Sequence, residues 1–550
     1  MTLEKKAHAA AESWAAEYMD GQMGRREFLS RATALGVSAG AAYAMLGLSA
    51  PAQAETAAKQ GGTMRISMPV RELRVPRMYD TVEMGNLTTG VFETLVEYQA
   101  DGSFRPMLAE SWEVNEDATE YTIKLRAGVK WGNGTDLTAE QVAATIEGWC
   151  DKTVEGNGMP NRVGSLIDEE TGKAAEGAIT VVDALTIVLR PRISDITLIP
   201  SMAEYAAPIA HPDFDPSDVS TAIGTGPFRL VEHEVGGRLV IERNADVAWW
   251  GTEVYGGPYL DRFEIIDYGT EMISSISAVE SDEVDILWQS TGEFIQILDD
   301  LGWAKSETIT GQTVVFRPQQ VAEVDGSQPY ADARVRRALA MAIDNAIILE
   351  LGYAGLGSVA ENHHVAPIHP EYAELDPVVH DPTAAMALME ETGMADFEHE
   401  LVSIDSGWMK DTADAVAAQL RDAGMTVSRK VVPSAAYWND WNKFPFSSTD
   451  WNHRPLGIQV LNIAYRGGAS WNESGFNNAE FDSLLDQGLA IADADKRREV
   501  SRRLQEIMRE QGVVIQPYWR SLFRHYKPEV VGAEMHPTAQ IFPYRFGFAA

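Results

Sequence analysis

The stretch FRPMLAESWEVNEDATEYTIKLRAGVKWGNGTDLTAEQVAATIEGW, residues 104–149, holds the most legible order in the chain. Tyr121 to Arg126 alternates, with Tyr121, Ile123 and Leu125 on one face, which is the period of a half-buried strand. Leu137-Thr138-Ala139-Glu140-Gln141-Val142 then opens a helix. Thr138 and Gln141 stand at capping-box spacing, and Leu137 is placed to staple onto Val142. Leu108 and Trp112 read as core. A strand followed by a well-capped helix is the grammar of an α/β chain.

The same grammar continues outward. Met64 to Met68 follows Gly61-Gly62 as a short strand, and Thr186 to Arg190 and Arg238 to Arg243 add two more. Asp332 is placed to cap a helix with Val335, Leu339, Ala342, Ile343 and Ile347 on one face, and Asp332 and Arg336 are at pairing distance along it. Leu401 to Ile404 is a strand, a helix from Asp411 ends at Gly424, and Met425 to Val432 is the next strand. That order predicts a parallel pair with its crossover helix on one face. Asn477 with Glu480 marks another helix start, and Val500, Leu504, Ile507 and Met508 a long amphipathic helix. The fold class is α/β, in at least two lobes.

The N-terminus carries a different message. Arg25-Arg26-Glu27-Phe28-Leu29, a weakly apolar stretch over 32–50 and Ala52-Gln53-Ala54 have the order of a twin-arginine export signal with its cut near Ala54. Gly36, Gly40 and Gly47 make the apolar part too weak for a membrane span. The expected product is a soluble periplasmic protein beginning near Glu55, residues 1–54 being its signal peptide.

The formal net charge of −36 argues against nucleic-acid partners and anionic lipid. Cys150 is the one cysteine, which excludes an internal disulfide; at a helix end it reads as a buried, inert thiol.

Four ordered runs resemble the family 5 extracellular solute-binding proteins, the peptide- and nickel-binding type that serve ABC importers. They are 104–149, GTGPFRLVEHEVGGRLVIERNADVAWWG at 224–251, PYADARVRRALAMAIDNAII at 329–348 and FNNAEFDSLLDQG at 476–488. The resemblance implies a two-lobed periplasmic binding protein fold of the large class, with an extra subdomain and a hinged interlobe cleft. It places a first lobe at 60–312 plus 518–550, the extra subdomain at 80–223, and a second lobe at 313–517. Thr313 to Phe316 and Val514 to Pro517 would be the hinge. It also implies a monomer that captures a small peptide or peptide-like solute and delivers it to an ABC permease and its ATPase, with no cofactor and no chemistry of its own.

The family places part of its ligand specificity in a tryptophan loop, which corresponds here to Thr449-Asp450-Trp451-Asn452-His453-Arg454-Pro455-Leu456-Gly457. Peptide binders often continue into an acidic run there. This chain has Arg454, a forked donor suited to a carboxylate or other oxyanion. The expected ligand contacts are Trp451, Asn452, His453 and Arg454, with Trp408 after its strand and Tyr79 and Asn86 from the first lobe. Two alternatives stand beside this reading. His363, His364 and His369 gather three imidazoles for a metal or nickel-type chelate, although adjacent histidines cannot both face one ion from a strand; otherwise their segment is an ordered loop over the cleft. A twin-arginine-exported enzyme is the other, but its one nucleophile-elbow pattern, Gly36-Val37-Ser38-Ala39-Gly40, lies in the export signal.

Overall fold

The structure, a computed structural model, describes residues 9–49, 58–115, 118–292, 294–405, 407–491 and 494–550. Ten strands form the continuous path of its main sheet: β1 (Thr63–Ser67), β2 (Phe228–His233), β3 (Arg238–Arg243), β4 (Arg262–Ile266), β5 (Ile286–Ser290), β6 (Ala304–Pro318), β7 (Glu398–Ile404), β8 (Thr426–Val432), β9 (Phe446–Trp451) and β10 (Tyr518–Tyr526). Across the sheet the order is β2-β3-β4-β1-β5-β10-β6-β9-β7-β8, and Gly357–Val359 pairs at the side of β10. β1 runs parallel to β4 and β5, and β7 parallel to β8 and β9. The centre, β5-β10-β6-β9, is antiparallel.

Burial divides the sheet into two halves. One large core draws on residues from Ala11 to Trp288 and from Leu522 to Phe546. Two further cores draw on residues from Val314 to Tyr518. β6 and β10 pass between the halves, and Phe316 of β6 exchanges two backbone hydrogen bonds of 2.8 Å with Ile515, just ahead of β10. The crossings are thus tied to each other where the chain changes sides. β6 bulges between Ile309 and Thr313. Gly311 sits in that bulge because a Cβ there would lie 2.8 Å from His369 Nε2 and 3.0 Å from His453 Nδ1.

The 104–149 stretch folds as its spacing predicts. Ala109–Val114 and Tyr121–Leu125 join Thr186–Leu189 and Ile179–Asp183 in a separate four-stranded sheet. The helix Ala139–Trp149 starts with both capping-box hydrogen bonds between Thr138 and Gln141. Cys150 is buried, and desolvation pushes its thiol up to about 12, so it stays protonated. β7, the helix Gly407–Asp422 and β8 form the expected parallel crossover.

Three local expectations need correction. The helix after Asp332 ends at Met341, and Asp344 caps a second one, Asn345–Tyr353, with its carboxylate accepting from Ala346 and Ile347 N–H. Asp332 pairs with Arg334, while buried Arg336 donates to the carbonyls of Tyr330, Ala331 and Gln511. The cap near 477 is Asn478, which accepts from Phe481 N–H.

Among the described residues no helix is long and apolar enough to cross a membrane. The N-terminal helices Ala9–Met19, Arg25–Ala34 and Ala39–Met45 lie against the body. Phe28 and Leu29 are fully buried, and the Trp112 indole donates to Ala34 O at 3.1 Å. Arg26 donates to Ala100 O and to the Tyr98 hydroxyl. Ala52-Gln53-Ala54, the expected cut site, lies outside the described residues.

Candidate functional site

A cavity of about 580 Å³ opens between the two halves, lined by Ser67, Met68 and Glu83 from one side and Trp408, Trp438 and Asp450 from the other. That size suits a small organic solute or short peptide. A larger hollow, about 960 Å³, lies wholly within the second half, under residues 374–379. Its Arg502 and Arg509 donate to backbone carbonyls of Glu374, Asp376 and Pro377. Closing the two halves would not act on it, so the interlobe cavity is the candidate site.

Its floor is made by the strands that cross between the halves. Arg520 on β10 is 3% exposed. Its two Nη groups donate to Gln312 Oε1 on β6 and Gln289 Oε1 on β5, each at 3.1 Å. Its guanidinium carbon lies 3.8 Å from the centre of the Trp408 ring, a close cation–π contact. Gln312 passes the connection on, its amide donating to Asn452 Oδ1 at 3.1 Å. The Arg520 Nε, sealed from solvent, has no hydrogen-bond partner among the described residues.

Charge around the cavity is uneven. Among the described residues Arg71 and Arg520 face Glu83, Glu271, Glu350, Asp411 and Asp450. Burial, then the neighbouring Glu83, holds Asp450 up to about 6 against an ordinary 3.8, with Arg520 and Arg71 opposing. The fold therefore binds this proton more tightly than the unfolded chain does. That contribution is greatest below the ordinary value and is lost as pH rises through about 6.

The expected contacts separate into two sets. Trp408 and Asn452 line the cavity. Trp451, His453 and Arg454 stand behind its wall. Trp451 is 4% exposed and its indole donates to Glu473 at 2.7 Å. Glu473 also accepts from the Thr449 hydroxyl and pairs with the fully buried Arg317. His453 accepts from Gly311 N–H at 3.0 Å, and burial beside His369 keeps it neutral, well below its ordinary value. Arg454 lies 3.5 Å from Glu204 of the opposite half and donates to Asn452 O. That carboxylate, already shared with Arg162, is the oxyanion it meets. Tyr79 and Asn86 stay inside the first half: the Tyr79 hydroxyl meets Thr88, and Asn86 holds Ala539 and Ile541. Both fall outside the cavity, the Tyr79 hydroxyl spent on the Thr88 side chain and the Asn86 amide on the backbone of Ala539 and Ile541.

The three histidines are core groups, not a loop over the cleft. His363 pairs with Glu361, His364 with the Tyr465 hydroxyl, and His369 accepts from Ala366 N–H. Burial lowers all three, His369 to about 3. Among the described residues no group of three or more His, Cys, Asp or Glu is arranged to hold a metal ion. Sequence reasoning passed over Arg520, Gln312 and Glu83. The signal for Arg520 was its position, three residues after a marked hinge segment and directly after Tyr518-Trp519.

Comparison with known proteins fits this geometry. Heme-binding protein A of Haemophilus influenzae is 23% identical over 488 residues, covering 81% of this chain and 85% of that one. The dipeptide-binding protein of Escherichia coli is 23% identical over 497 residues, covering 82% and 87%. The crystal structure of Haemophilus influenzae OppA in complex with the peptide RPPGFSPFR superimposes with a TM-score of 0.79 at 17% identity, covering 90% of this chain and 99% of that one. The family model for bacterial extracellular solute-binding proteins, family 5, matches residues 103–471, and the chain belongs to that family.

Proposed function

We propose that the chain is the solute-capturing component of an ABC importer, closing its halves on a small peptide or peptide-like solute and handing it to the permease unaltered. The partner ATPase supplies the energy. The observation that carries this reading is the cavity itself. It is lined from both halves, floored by the strands that join them, and of a size that closure would seal. The names of the relatives, a dipeptide-binding protein among them, support the solute class. The halves correspond to a first lobe at 60–312 plus 518–550, with an extra subdomain at 80–223, and a second lobe at 313–517. The protein works as a periplasmic monomer after twin-arginine export and cleavage near Ala54.

Two measurements test this. A stabilising solute raises the melting temperature by mass action, and small-angle scattering then shows a smaller radius of gyration. An unchanged profile with a saturating, stabilising solute would defeat the closure reading. Turnover of that solute would favour an enzyme instead. A chain beginning at Glu55 should bind within about twofold of the precursor, since the N-terminal helices do not line the cavity. A tenfold loss would place those helices in the binding mechanism.

The metal-chelate alternative draws no support from the histidines: each has a ring nitrogen taken by Glu361, the Tyr465 hydroxyl or Ala366 N–H, and the described residues bring no three metal-ligating side chains together.

A further inference from the structure

Beside the interlobe cavity the halves meet over three buried charges. Arg162 and Glu204 belong to the first half and Arg454, three residues past β9, to the second; they are 2%, 7% and 2% exposed. One Glu204 oxygen accepts from Arg162 Nε at 2.7 Å, and Arg454 Nε stands 3.5 Å from that same oxygen. Among the described residues no second carboxylate is within ion-pair distance of either guanidinium. Two cations therefore share one anion. Arg454 Nη1 donates to Asn452 O at 2.9 Å, but its Nε and Nη2, sealed from solvent, have no hydrogen-bond partner among the described residues. The Tyr205 and Trp471 rings lie 5.8 and 6.0 Å from its guanidinium carbon, at the outer reach of cation–π attraction, and Trp471 lies closer to Arg162, at 4.5 Å.

We propose that Arg454 is a brake on closure, the residue that keeps the empty halves apart and sets how much binding free energy a solute must supply to shut them. The inference rests on the solute-capture reading and names the residue that fixes its threshold. When the halves part, Glu204 keeps Arg162, its partner within the same half, and Arg454 returns to water. On closing, Arg454 exchanges that water for a carboxylate already engaged. Burial of a cation is offset only where counter-charge and hydrogen bonds are complete, and around Arg454 they are not. The empty closed form is then a minor state. A solute that gains less from the two halves than Arg454 loses leaves the protein open. Other contacts across the same seam carry no such cost. Asn462 donates to Asn161 O at 2.7 Å and Asn161 to Ser470 Oγ at 3.1 Å, neutral pairs that close without stranding a charge.

The test reads the distance between the halves in the full-length protein, from nitroxides on Val182→Cys of the first half and Val431→Cys of the second, both exposed positions. Cys150 is buried and stays unlabelled. Without solute the wild type should be mainly open. Arg454→Met occupies similar space without charge and leaves Glu204 paired with Arg162, so the closed fraction should rise by about tenfold. Gln459→Glu should raise it by another route. It sets a second carboxylate beside the two guanidiniums, since the Gln459 amide already reaches Glu204, and keeps the oxygen that accepts from Leu456 N–H. Glu204→Gln removes the shared carboxylate and should lower the closed fraction. With Gly-Lys as the probe, calorimetry should show about tenfold tighter binding to Arg454→Met, because the competent closed form has become commoner. An empty wild type already shut, or an empty Arg454→Met protein no more closed than wild type, overturns the brake. Weaker Gly-Lys binding by Arg454→Met also overturns it and makes the Arg454–Glu204 contact a latch. Should Arg454→Met fail to fold, Gln459→Glu carries the same decision. The distance readout needs no solute, so it judges the brake by itself. A wild type that neither Gly-Lys nor any solute retained from the native source can close defeats the solute-capture reading instead.

Discussion

Glu473→Ala is expected to destabilise the protein by about 3–5 kcal/mol, the usual consequence of stranding one member of a buried ion pair. Arg317 and Glu473 are 0% and 1% exposed. Removing the carboxylate leaves the guanidinium buried, with only the carbonyls of Trp441 and Phe444 to face it. It also strips the acceptor from the Trp451 indole and the Thr449 hydroxyl. These groups set the wall of Trp441, Trp451 and Trp471, whose rings lie 5.9 to 6.4 Å apart. The melting temperature should drop by on the order of 10 °C.

Charge, rather than lost volume, is the cause to be separated. Arg317→Met with Glu473→Met removes both charges and keeps the space filled, and such replacements are often neutral. The double variant should therefore recover most of the loss. A Glu473→Ala protein melting within about 1 kcal/mol of wild type would show that the pair does not hold the wall.

The architecture was legible because it is written in local patterns. Thr138 and Gln141 announce a capping box, and both hydrogen bonds form. The strand-helix-strand order over 398–432 fixes a parallel pair, since a crossover of that length packs on one face. The marked hinge segments meet through Phe316 and Ile515. The site was legible only in part. Arg454 has the fork that an oxyanion needs, but Glu204, 250 positions upstream, already supplies the oxyanion. Arg520 owes its role to Gln289, Gln312 and Trp408, which come from three other segments, and no spacing along the chain records their meeting. Local order encodes elements; the owner of each buried charge is decided by tertiary packing.

Arg520→Ala is expected to weaken capture of a carboxylate-bearing solute such as Gly-Lys by about a hundredfold, on the order of 2–4 kcal/mol. The guanidinium is buried and its charge lies on the cavity floor. A solute carboxylate or carbonyl oxygen meeting it makes a charge-assisted interaction in a space from which closure has expelled water. Truncation also leaves Gln312 and Gln289 without their donor and uncovers Trp408, so Asn452 loses the support that Gln312 provides. The loss should fall mainly on the dissociation rate, since residues sealed inside a closed cleft act after encounter. Arg520→Lys keeps the charge but cannot bridge two glutamines while stacking flat on an indole, so it should restore only a minor part. Carboxyl-amidated Gly-Lys separates contact from support. If Arg520 meets the carboxylate, amidation weakens binding to wild type and changes little in Arg520→Ala; if its role is only to brace Gln312 and Asn452, amidation costs the same in both. Wild-type affinity in a folded Arg520→Ala protein would remove the hinge-strand arginine from recognition altogether.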